Sequence, residues 1–283
     1  MRRPSVDRRD EPFTEGNTVS RVSAGSVSEM RKLMVRGLER ASTPYHQRVS
    51  LDSAFDSPQS KRRYVRRLFA TIADRYDLIT AVLSYGQDAR WKAKLVKLAN
   101  VRSGERALDL ACGTGDIAFA VATKGARTVG LDITHRMLQL AQRKSDAVGF
   151  ITGDMISLPF RSQSFDLVTT GYGLRNVPDL DAAIDEIARV LRPGGRLLSL
   201  DFNRPESGVV RAAYLAYLTA AGSTLGWLLH RDPDTYRYIP ASIRRYAGAR
   251  GVADRLAAGG FTDVRIVPLL FGLMTLHVAE RIR

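Results

Sequence analysis

The sequence predicts an α/β protein in which helices cover both faces of a seven-stranded, mostly parallel sheet. Two observations lead to this prediction. Short apolar runs alternate with helical segments between residues 107 and 202, and strands that are apolar on both sides are typical of parallel sheets covered by helices. The last two strand-like runs, Phe261–Pro268 and Leu273–Arg281, are separated only by Leu269–Gly272. This short link predicts an antiparallel hairpin at the edge of the sheet.

The periodicity of the apolar residues defines each element. Apolar side chains recur at spacings of three and four residues after Lys61, which predicts helices there and over Ala89–Leu98. Further along, strands and helices alternate. The predicted strands before the hairpin are Ala107–Ala111, Thr128–Ile133, Gly149–Gly153, Phe165–Thr170 and Arg196–Phe202. The predicted helices are Ile117–Thr123, Arg136–Lys144, Leu180–Leu191, Val209–Leu229 and Gly251–Ala258.

Residues 1–60 differ in composition from the rest of the chain. They are rich in Ser, Arg, Pro and Gly and show no sustained apolar period, so they bury too little apolar surface to offset the entropy of ordering. We expect a basic, disordered extension followed by one domain over residues 61–283.

The net charge of +14 favours an anionic membrane surface, a nucleic acid or an acidic ligand as a partner, or simply reflects a basic tail. Basic clusters interleaved with aromatic residues are lacking outside the tail, which argues against specific nucleic-acid binding.

The chain is expected to be cytoplasmic. No apolar run is long enough to cross a bilayer, and no apolar signal segment follows the basic start. The single cysteine, Cys112, excludes an intrachain disulfide and is compatible with a reducing compartment. No group of Cys and His residues has the spacing of zinc ligands, so no metal site is predicted.

A glycine loop with the sequence Asp-Leu-Ala-Cys-Gly-Thr-Gly-Asp follows the first predicted strand, over residues 109–116. Gly113 and Gly115 permit a tight turn and close approach of a ligand, and open α/β sheets bind ligands at the carboxyl ends of their strands. The two glycines alone are also compatible with a nicotinamide-dependent dehydrogenase, which remains an alternative.

Three carboxylates end successive strands and favour a different nucleoside cofactor. Asp109 precedes the glycine loop, where its charge would attract the cationic methionine portion of S-adenosylmethionine (SAM) but would oppose a pyrophosphate. Asp132 ends the second strand and can accept hydrogen bonds from both ribose hydroxyls in either cofactor class. Asp154 follows the third strand, where its side chain can accept from the adenine amine. Together they predict SAM rather than a dinucleotide.

Motifs outside this loop carry a more specific resemblance. They are Arg75-Tyr76-Asp77-Leu78, Leu83-Ser84-Tyr85-Gly86, Trp91-Lys92, Gly173-Leu174-Arg175-Asn176-Val177, Asp234-Thr235-Tyr236-Arg237-Tyr238-Ile239, Ser242-Ile243-Arg244 and Leu276-His277. With them, the chain from about Tyr64 to Arg283 resembles the ubiquinone/menaquinone-biosynthesis C-methyltransferases, which are class I SAM-dependent enzymes with a Rossmann-like fold. The resemblance implies an antiparallel C-terminal strand and SAM-dependent methylation of a ring carbon of a prenylated quinol. Two residues depart from it: Gly171 stands where that family usually has Ser or Ala, and Tyr172 where it usually has Phe.

The predicted site combines the strand-end residues with those that the resemblance implies. The predicted cofactor-binding residues are Asp109, Gly113, Thr114, Gly115, Asp132, Asp154, Met155 and Gly171. The loop after the fourth strand is expected to border the methyl group, where Arg175 would stabilise a phenolate and Asn176 would orient the hydroxyl or a water. The resemblance implies that a water near Arg175, Asn176 and Asp154 relays the proton. His277 is a second candidate base, although a lone histidine in a strand is more often structural.

Val209–Leu229 is too apolar for a solvated surface helix, since Arg211 is its only charged residue. It is predicted to be a lid over a lipophilic tail, a membrane-contacting helix, a homodimer interface or an ordinary core helix. The expected partners are therefore a lipophilic prenylated quinol and an anionic membrane surface that the protein contacts without spanning. Another small aromatic, sterol or polyketide substrate remains an alternative.

Overall fold

The computed structural model describes residues 51, 53–84, 86–232 and 234–282. The strands are β1 Arg106–Leu110, β2 Arg127–Asp132, β3 Gly149–Thr152, β4 Phe165–Gly171, β5 Leu191–Phe202, β6 Phe261–Leu269 and β7 Met274–Arg281. The α-helices are α1 Pro58–Ile72, α2 Tyr76–Leu83, α3 Asp88–Ala99, α4 Asp116–Ala122, α5 His135–Lys144, α6 Leu180–Val190, α7 Gly208–His230, α8 Tyr238–Arg245 and α9 Gly248–Ala258.

The strands form one seven-stranded sheet in the order β3-β2-β1-β4-β5-β7-β6. Neighbouring strands from β3 to β5 are parallel, whereas β7 is antiparallel to both β5 and β6. The predicted α/β fold with an antiparallel C-terminal strand is therefore confirmed. A fully parallel sheet would have favoured the dehydrogenase alternative, and the antiparallel β7 argues against it.

Apolar residues pack against both faces of the sheet. On one face, Ile184 and Ile187 of α6 join a cluster with Leu108 of β1. On the other face, Leu95 of α3 and Ile117 of α4 belong to a second cluster with several strand residues. The strands are apolar on both sides because both faces are covered, which is why they appear as continuous apolar runs in the sequence. The strand order reverses between β1 and β4, and such a reversal opens a crevice at the carboxyl ends of the strands.

The helical region after Lys61 consists of two helices instead of one. Ser57 caps α1 by accepting a hydrogen bond from the backbone N–H of Ser60, and a 3-10 turn over Ala73–Arg75 separates α1 from α2. Ordered structure thus begins earlier than the boundary predicted at residue 60, and the 3-10 turn Ser53–Phe55 precedes α1. The predicted disordered extension otherwise lies outside the described residues.

Helices α7 and α8 build the region that follows β5. Helix α7 agrees with the prediction to within one residue at each end. Helix α8 was not predicted, because Pro240 interrupts the apolar pattern. The proline lies in the first turn of α8, where no backbone N–H is required. Among the described helices, none is both long enough and apolar enough to cross a membrane.

Candidate functional site

Two cavities meet at the carboxyl ends of the central strands. A cleft with about 680 Å³ of empty space is bordered by residues that follow β1, β2, β3 and β4. An apolar cavity, with about 1270 Å³ of empty space when its open side is included, lies against α1, α2, α7 and α8. Three aromatic side chains, Phe69, Tyr76 and Tyr172, border both spaces. A ligand in the cleft and a ligand in the apolar cavity would therefore approach each other at these rings.

The glycine loop between β1 and α4 has the backbone conformation that glycine favours. Gly113 and Gly115 have φ angles of 54° and 90°, in the region that side chains disfavour. Asp132, at the end of β2, holds the loop by accepting hydrogen bonds from the backbone N–H groups of Gly113 (2.9 Å) and Thr134 (2.7 Å). Burial raises the pKa of Asp132. Its carboxylate thus borders the cleft at a fixed position beside the loop.

The structure divides the predicted site residues into two groups. Those that border the cleft are Gly113, Asp132, Asp154, Met155, Gly171 and Asn176. Those that do not border it are Asp109, Thr114, Gly115 and Arg175. In the second group, the side chains of Asp109, Thr114 and Arg175 contact other parts of the protein instead.

Asp109 lies beneath the glycine loop, where only 1 % of it is exposed. Its Oδ1 accepts a 2.7 Å hydrogen bond from Thr169 Oγ1. Burial raises the pKa of the Asp109 carboxyl to about 7. Asp109 does not border the cleft, and its attraction for the methionine end of SAM stays a prediction. Asp109 and Thr169 are paired positions of β1 and β4, so the side chain of Asp109 faces this cross-strand neighbour.

Thr114 and α2 are joined by a hydrogen bond of 2.6 Å from Thr114 Oγ1 to Asp77 Oδ1. Lys92 of α3 reinforces this junction by pairing with Asp88 (2.6 Å) and with Asp116 at the start of α4 (2.9 Å). Lys144 also pairs with both Asp77 and Asp116. The Arg-Tyr-Asp-Leu and Trp-Lys motifs thus fasten the N-terminal helices to the glycine loop.

Helix α1 closes the cleft from the side opposite the sheet. Arg62 Nε forms a 2.6 Å ion pair with Asp154 Oδ2. Lys61 Nζ donates hydrogen bonds to the carbonyl oxygens of Arg175 (3.1 Å) and Val177 (2.6 Å). Burial, together with the nearby Arg175, lowers the pKa of Lys61 to about 8. Sequence reasoning missed Lys61 and Arg62, since nothing in the chain near them indicates that α1 packs over the strand ends.

Gly171 at the end of β4 and Tyr172 directly after it are the two residues that depart from the family pattern. A Cβ atom at Gly171 would lie 2.7 Å from Ile117 Cδ1, so the larger residues common at this position would displace Ile117. Tyr172 has a φ of 62°, a conformation uncommon for a bulky residue. Its hydroxyl donates a 2.5 Å hydrogen bond to Asp88 Oδ1, and burial raises its pKa well above the usual range. Gly171 therefore offers only backbone to the cleft, and the Tyr172 ring is fixed at the junction of the two cavities.

Asn176 and Arg175 are neighbours in the chain that face different surroundings. Asn176 Nδ2 donates to the carbonyl of Tyr172 (2.7 Å), while its Oδ1 is buried without a hydrogen-bond partner. Arg175 instead pairs with Asp201 (3.3 Å) and donates to Ser242. Its guanidinium borders the apolar cavity, not the cleft. Asn176 thus presents an unused acceptor beside the cleft, whereas the charge of Arg175 is already paired.

The apolar cavity is lined by aromatic and aliphatic side chains. The tyrosines Tyr172, Tyr236 and Tyr238 all border it. Helix α7 contributes Tyr214, Tyr217 and Leu218. These contacts are compatible with the predicted role of a lid over a lipophilic tail, and they test neither the membrane-contacting role nor the dimer role.

His277 lies in β7, outside both cavities. Its Nε2 is 2.9 Å from the carbonyl oxygen of Ala249. Burial lowers the pKa of His277. These surroundings favour the structural alternative over a role as a base.

Comparisons with known proteins agree with this geometry. The ubiE/COQ5 methyltransferase family matches residues 57–281. A demethylmenaquinone methyltransferase of Thermus thermophilus is 40% identical over 220 residues, which cover 76% of this chain and 100% of that protein. A ubiquinone/menaquinone biosynthesis C-methyltransferase of Rubrivivax gelatinosus is 35% identical over 240 residues, with 84% and 94% covered. In fold, the chain is similar to a SAM-dependent methyltransferase of Thermotoga maritima (TM-score 0.58, 17% identity, 77% of this chain and 99% of that chain).

Proposed function

Because the chain belongs to the ubiE/COQ5 methyltransferase family, we propose that it transfers a methyl group from SAM to a ring carbon of a prenylated quinol. It is a SAM-dependent methyltransferase, and its relatives act in quinone biosynthesis according to their names. One observation carries the proposal for this chain: a cleft with carboxylates and an apolar cavity meet at Tyr76, Tyr172 and Phe69. Such a junction suits a polar methyl donor and a lipophilic acceptor.

The residues at the cleft fit SAM. When bound, SAM supplies an electrophilic methyl group. Asp132 uses its carboxylate for two backbone N–H groups, and carboxylate oxygens have further lone pairs for the ribose hydroxyls. Gly113 lets the backbone approach the ligand. Asp154 and Met155 border the same space and would contact the adenine. Asp154 Oδ2 is paired with Arg62, so this contact requires that the ion pair opens or that the carboxylate binds Arg62 and the adenine amine together.

The apolar cavity is proposed to hold the ring and the first part of the prenyl tail. Its lining is almost entirely aromatic and aliphatic, so it excludes water and favours an apolar chain. Arg175 is the exception among the lining residues, since it is charged. A positive charge in this wall would stabilise a phenolate, although the pairing with Asp201 reduces its effect.

The acceptor carbon becomes a stronger nucleophile when the quinol hydroxyl loses its proton. We propose that Asn176 Oδ1, which is buried without a partner, accepts a hydrogen bond from that hydroxyl or from a water beside it. Asp154, which borders the same cleft as Asn176, is the proposed acceptor for this proton. The side chains orient the acceptor and exclude bulk water, which are the contributions that positioning and general-base catalysis require.

The ring is proposed to be of the demethylmenaquinol type, and a benzoquinol precursor is the second candidate. The name of the Thermus relative favours the menaquinol type, and the name of the Rubrivivax relative includes both ubiquinone and menaquinone.

We propose that the catalytic unit comprises the residues from the 3-10 turn Ser53–Phe55 to the end of β7. A quinol of this kind resides in a membrane, so we further propose that the protein contacts a membrane surface peripherally.

A direct assay tests this function. The purified full-length protein is incubated with SAM and with naphthoquinols and benzoquinols that lack the methyl group, each with a short and a long prenyl tail. The expected product is heavier than its precursor by one CH₂ unit and carries the new methyl on a ring carbon. A sterol and a simple phenol serve as controls. Methylation of the controls but of no quinol would reject the proposal in favour of another substrate class.

A further inference from the structure

We propose that exposed apolar residues around the apolar cavity form a docking lip that inserts into the surface of an anionic lipid bilayer. The docking lip comprises Leu78 and Val82 of α2, Trp227 and Leu228 of α7, and Leu270 and Phe271 of the turn between β6 and β7. All six side chains are at least one-third exposed. Large apolar side chains that cluster at the surface usually mark an interaction site.

Phe271 is the clearest member of the docking lip. Its side chain is fully exposed (104 %), although it also borders the apolar cavity. Leu270, Phe271 and Gly272 have φ angles of 47°, 55° and 84°, so two non-glycine residues adopt the left-handed conformation in succession. Non-glycine residues rarely adopt it, and such strain is concentrated at functional segments. The turn therefore holds a phenylalanine in water at the opening of an apolar space.

The docking lip is continuous with the cavity. Ile79 and Leu83 of α2 border the cavity, and the exposed Leu78 and Val82 lie next to them in the chain. At the other end of α7, Leu225 and Leu229 pack in a cluster with Ile79. Trp227 and Leu228, 62% exposed each, thus lie beside the contact between α2 and α7. A lipid tail could pass from a bilayer into the cavity without crossing water.

Arginines lie at the start of α7. Arg204, Arg211 and Arg244 surround a groove whose other lining residues are Gly208, Ala212, Leu215 and Ala216. Within the described part of the chain, no carboxylate forms an ion pair with any of the three. Glu206, the acidic residue nearest in the chain, pairs with Arg250 instead (2.9 Å). Unpaired arginines beside the exposed Val209 and Val210 suit the phosphates of lipid headgroups.

A bilayer explains both features better than a second copy of the chain does. Two copies of a chain with a net charge of +14 repel each other, whereas anionic lipid attracts the chain and supplies phosphates for the arginines. The combination of apolar side chains and arginines is typical of proteins that lie at the membrane interface. The inference depends on the proposed function only in that a quinol substrate explains why the cavity should open towards lipid.

Tryptophan fluorescence gives a direct test, because the chain has two tryptophans in different surroundings. Trp227 is exposed and Trp91 is buried. Vesicles of phosphatidylglycerol and phosphatidylcholine, with bromine on the acyl chains, should quench Trp227 when the docking lip inserts. In the variant Trp227→Phe, most of the quenching should be lost, since the remaining Trp91 is buried and borders the cavity, where only an acyl chain inside the cavity reaches it. Adding Phe271→Trp to that variant should restore quenching.

Partitioning onto vesicles without bromine tests the individual residues in the full-length protein. Phe271→Asn, which tolerates the left-handed conformation, and Trp227→Gln should each lower the partition coefficient at high salt about tenfold. Replacing the three arginines with glutamine should abolish most of the extra binding at low salt. The matched controls are Ile151→Gln on β3, at the opposite edge of the sheet, and Arg127→Gln, and both should bind like the wild type.

The outcomes separate the alternatives. Equal binding of Phe271→Asn, Trp227→Gln and Ile151→Gln would overturn the proposal, as would Trp227 emission that brominated lipid does not quench. A wild-type dimer that Phe271→Asn converts to a monomer would assign the surface to a second copy of the chain. These measurements use neither SAM nor quinol. Vesicle binding through the docking lip without quinol methylation would therefore reject the proposed function while leaving this inference intact.

Discussion

Arg175 and Asp201 form a buried ion pair between the loop after β4 and the end of β5. Arg175 Nε lies 3.3 Å from Asp201 Oδ1, and the exposed fractions of the two side chains are 4% and 1%. The carboxylate also accepts a 3.0 Å hydrogen bond from the backbone N–H of Arg175. The guanidinium carbon lies 5.1 Å from the centre of the Phe202 ring. The pair therefore fixes the loop that carries Asn176 relative to the sheet.

We expect Arg175→Ala to destabilise the protein by about 3–5 kcal/mol, because it leaves the Asp201 carboxylate buried without its partner. Replacing both residues, as in Arg175→Met with Asp201→Leu, should recover much of that free energy of unfolding, since no unpaired charge remains. Urea unfolding followed by circular dichroism measures both effects. A double variant as unstable as Arg175→Ala would contradict the importance of the charge pair.

The same double variant tests whether Arg175 also acts on the substrate. If the positive charge stabilises a phenolate, the double variant should recover stability but not kcat, and its affinity for SAM should stay close to that of the wild type. Recovery of kcat together with stability would limit Arg175 to a structural role. Calorimetric titration with SAM provides the affinity.

Asp132→Ala should weaken SAM binding at least tenfold, roughly the 1.5–3 kcal/mol expected of hydrogen bonds to a charged group. The carboxylate is proposed to accept the ribose hydroxyls, and it also orders the loop at Gly113. Asp132→Asn keeps one acceptor oxygen and should lie between the two. Calorimetry with SAM gives the affinities, and circular dichroism verifies that each variant is folded. Unchanged affinity in Asp132→Ala would reject the predicted cofactor site.

The sequence predicted most of the fold because buried strands produce continuous apolar runs. The strand and helix ends of the central region agree with the prediction to within one residue, apart from β5 and the junction before it. The prediction placed the start of this strand at Arg196, but β5 begins at Leu191 and pairs irregularly with β4. Pro193 and Gly194 have the composition of a turn, and they lie in an irregularity between the pairs Phe165–Leu191 and Leu167–Arg196. Only the pairing of Leu191 ahead of them extends the strand across this segment.

That several strand-end residues border one cleft was predictable from the sequence, but the directions of their side chains were not. Strand-end residues such as Asp132 and Asp154 border the cleft because the carboxyl ends of parallel strands converge. Asp109 precedes the same loop but faces the interior, and Arg175 turns towards Asp201. These directions depend on packing between distant segments. The contribution of Arg62 depends on where α1 lies, which no local pattern in the chain determines.

The buried carboxyl of Asp109 should make stability depend on pH. Its pKa in the folded protein is raised to about 7, so the folded state holds this proton more tightly than the unfolded state does. The free energy of unfolding should therefore fall as pH rises from about 4 through 7, and this loss should be complete at about pH 8. For this group the linkage relation gives about 4 kcal/mol.

Asp109→Asn removes this titration while leaving an oxygen for the Thr169 hydroxyl. The difference in unfolding free energy between the variant and the wild type should grow in favour of the variant between pH 5 and pH 8. Urea unfolding at several pH values measures it. Other buried carboxyls, Asp132 and Asp201 among them, are present in both proteins and so cancel in the difference. A difference that is independent of pH would show that the Asp109 carboxyl keeps an ordinary pKa.

Leu218 should select for substrates with long prenyl tails, because it is buried in α7 and borders the apolar cavity. Leu218→Asn places an amide against the tail, and an unpaired polar group against an apolar chain costs about 1–3 kcal/mol. We expect KM for a long-tailed quinol to rise about tenfold or more, with little change for a short-tailed one. Leu215→Asn is the matched control, since Leu215 is equally buried in α7 but does not border this cavity. Both variants should lose stability, yet only Leu218→Asn should discriminate between tail lengths in steady-state assays. Equal effects on the two quinols would mean that the tail lies elsewhere, because a general loss of folded protein lowers both rates alike.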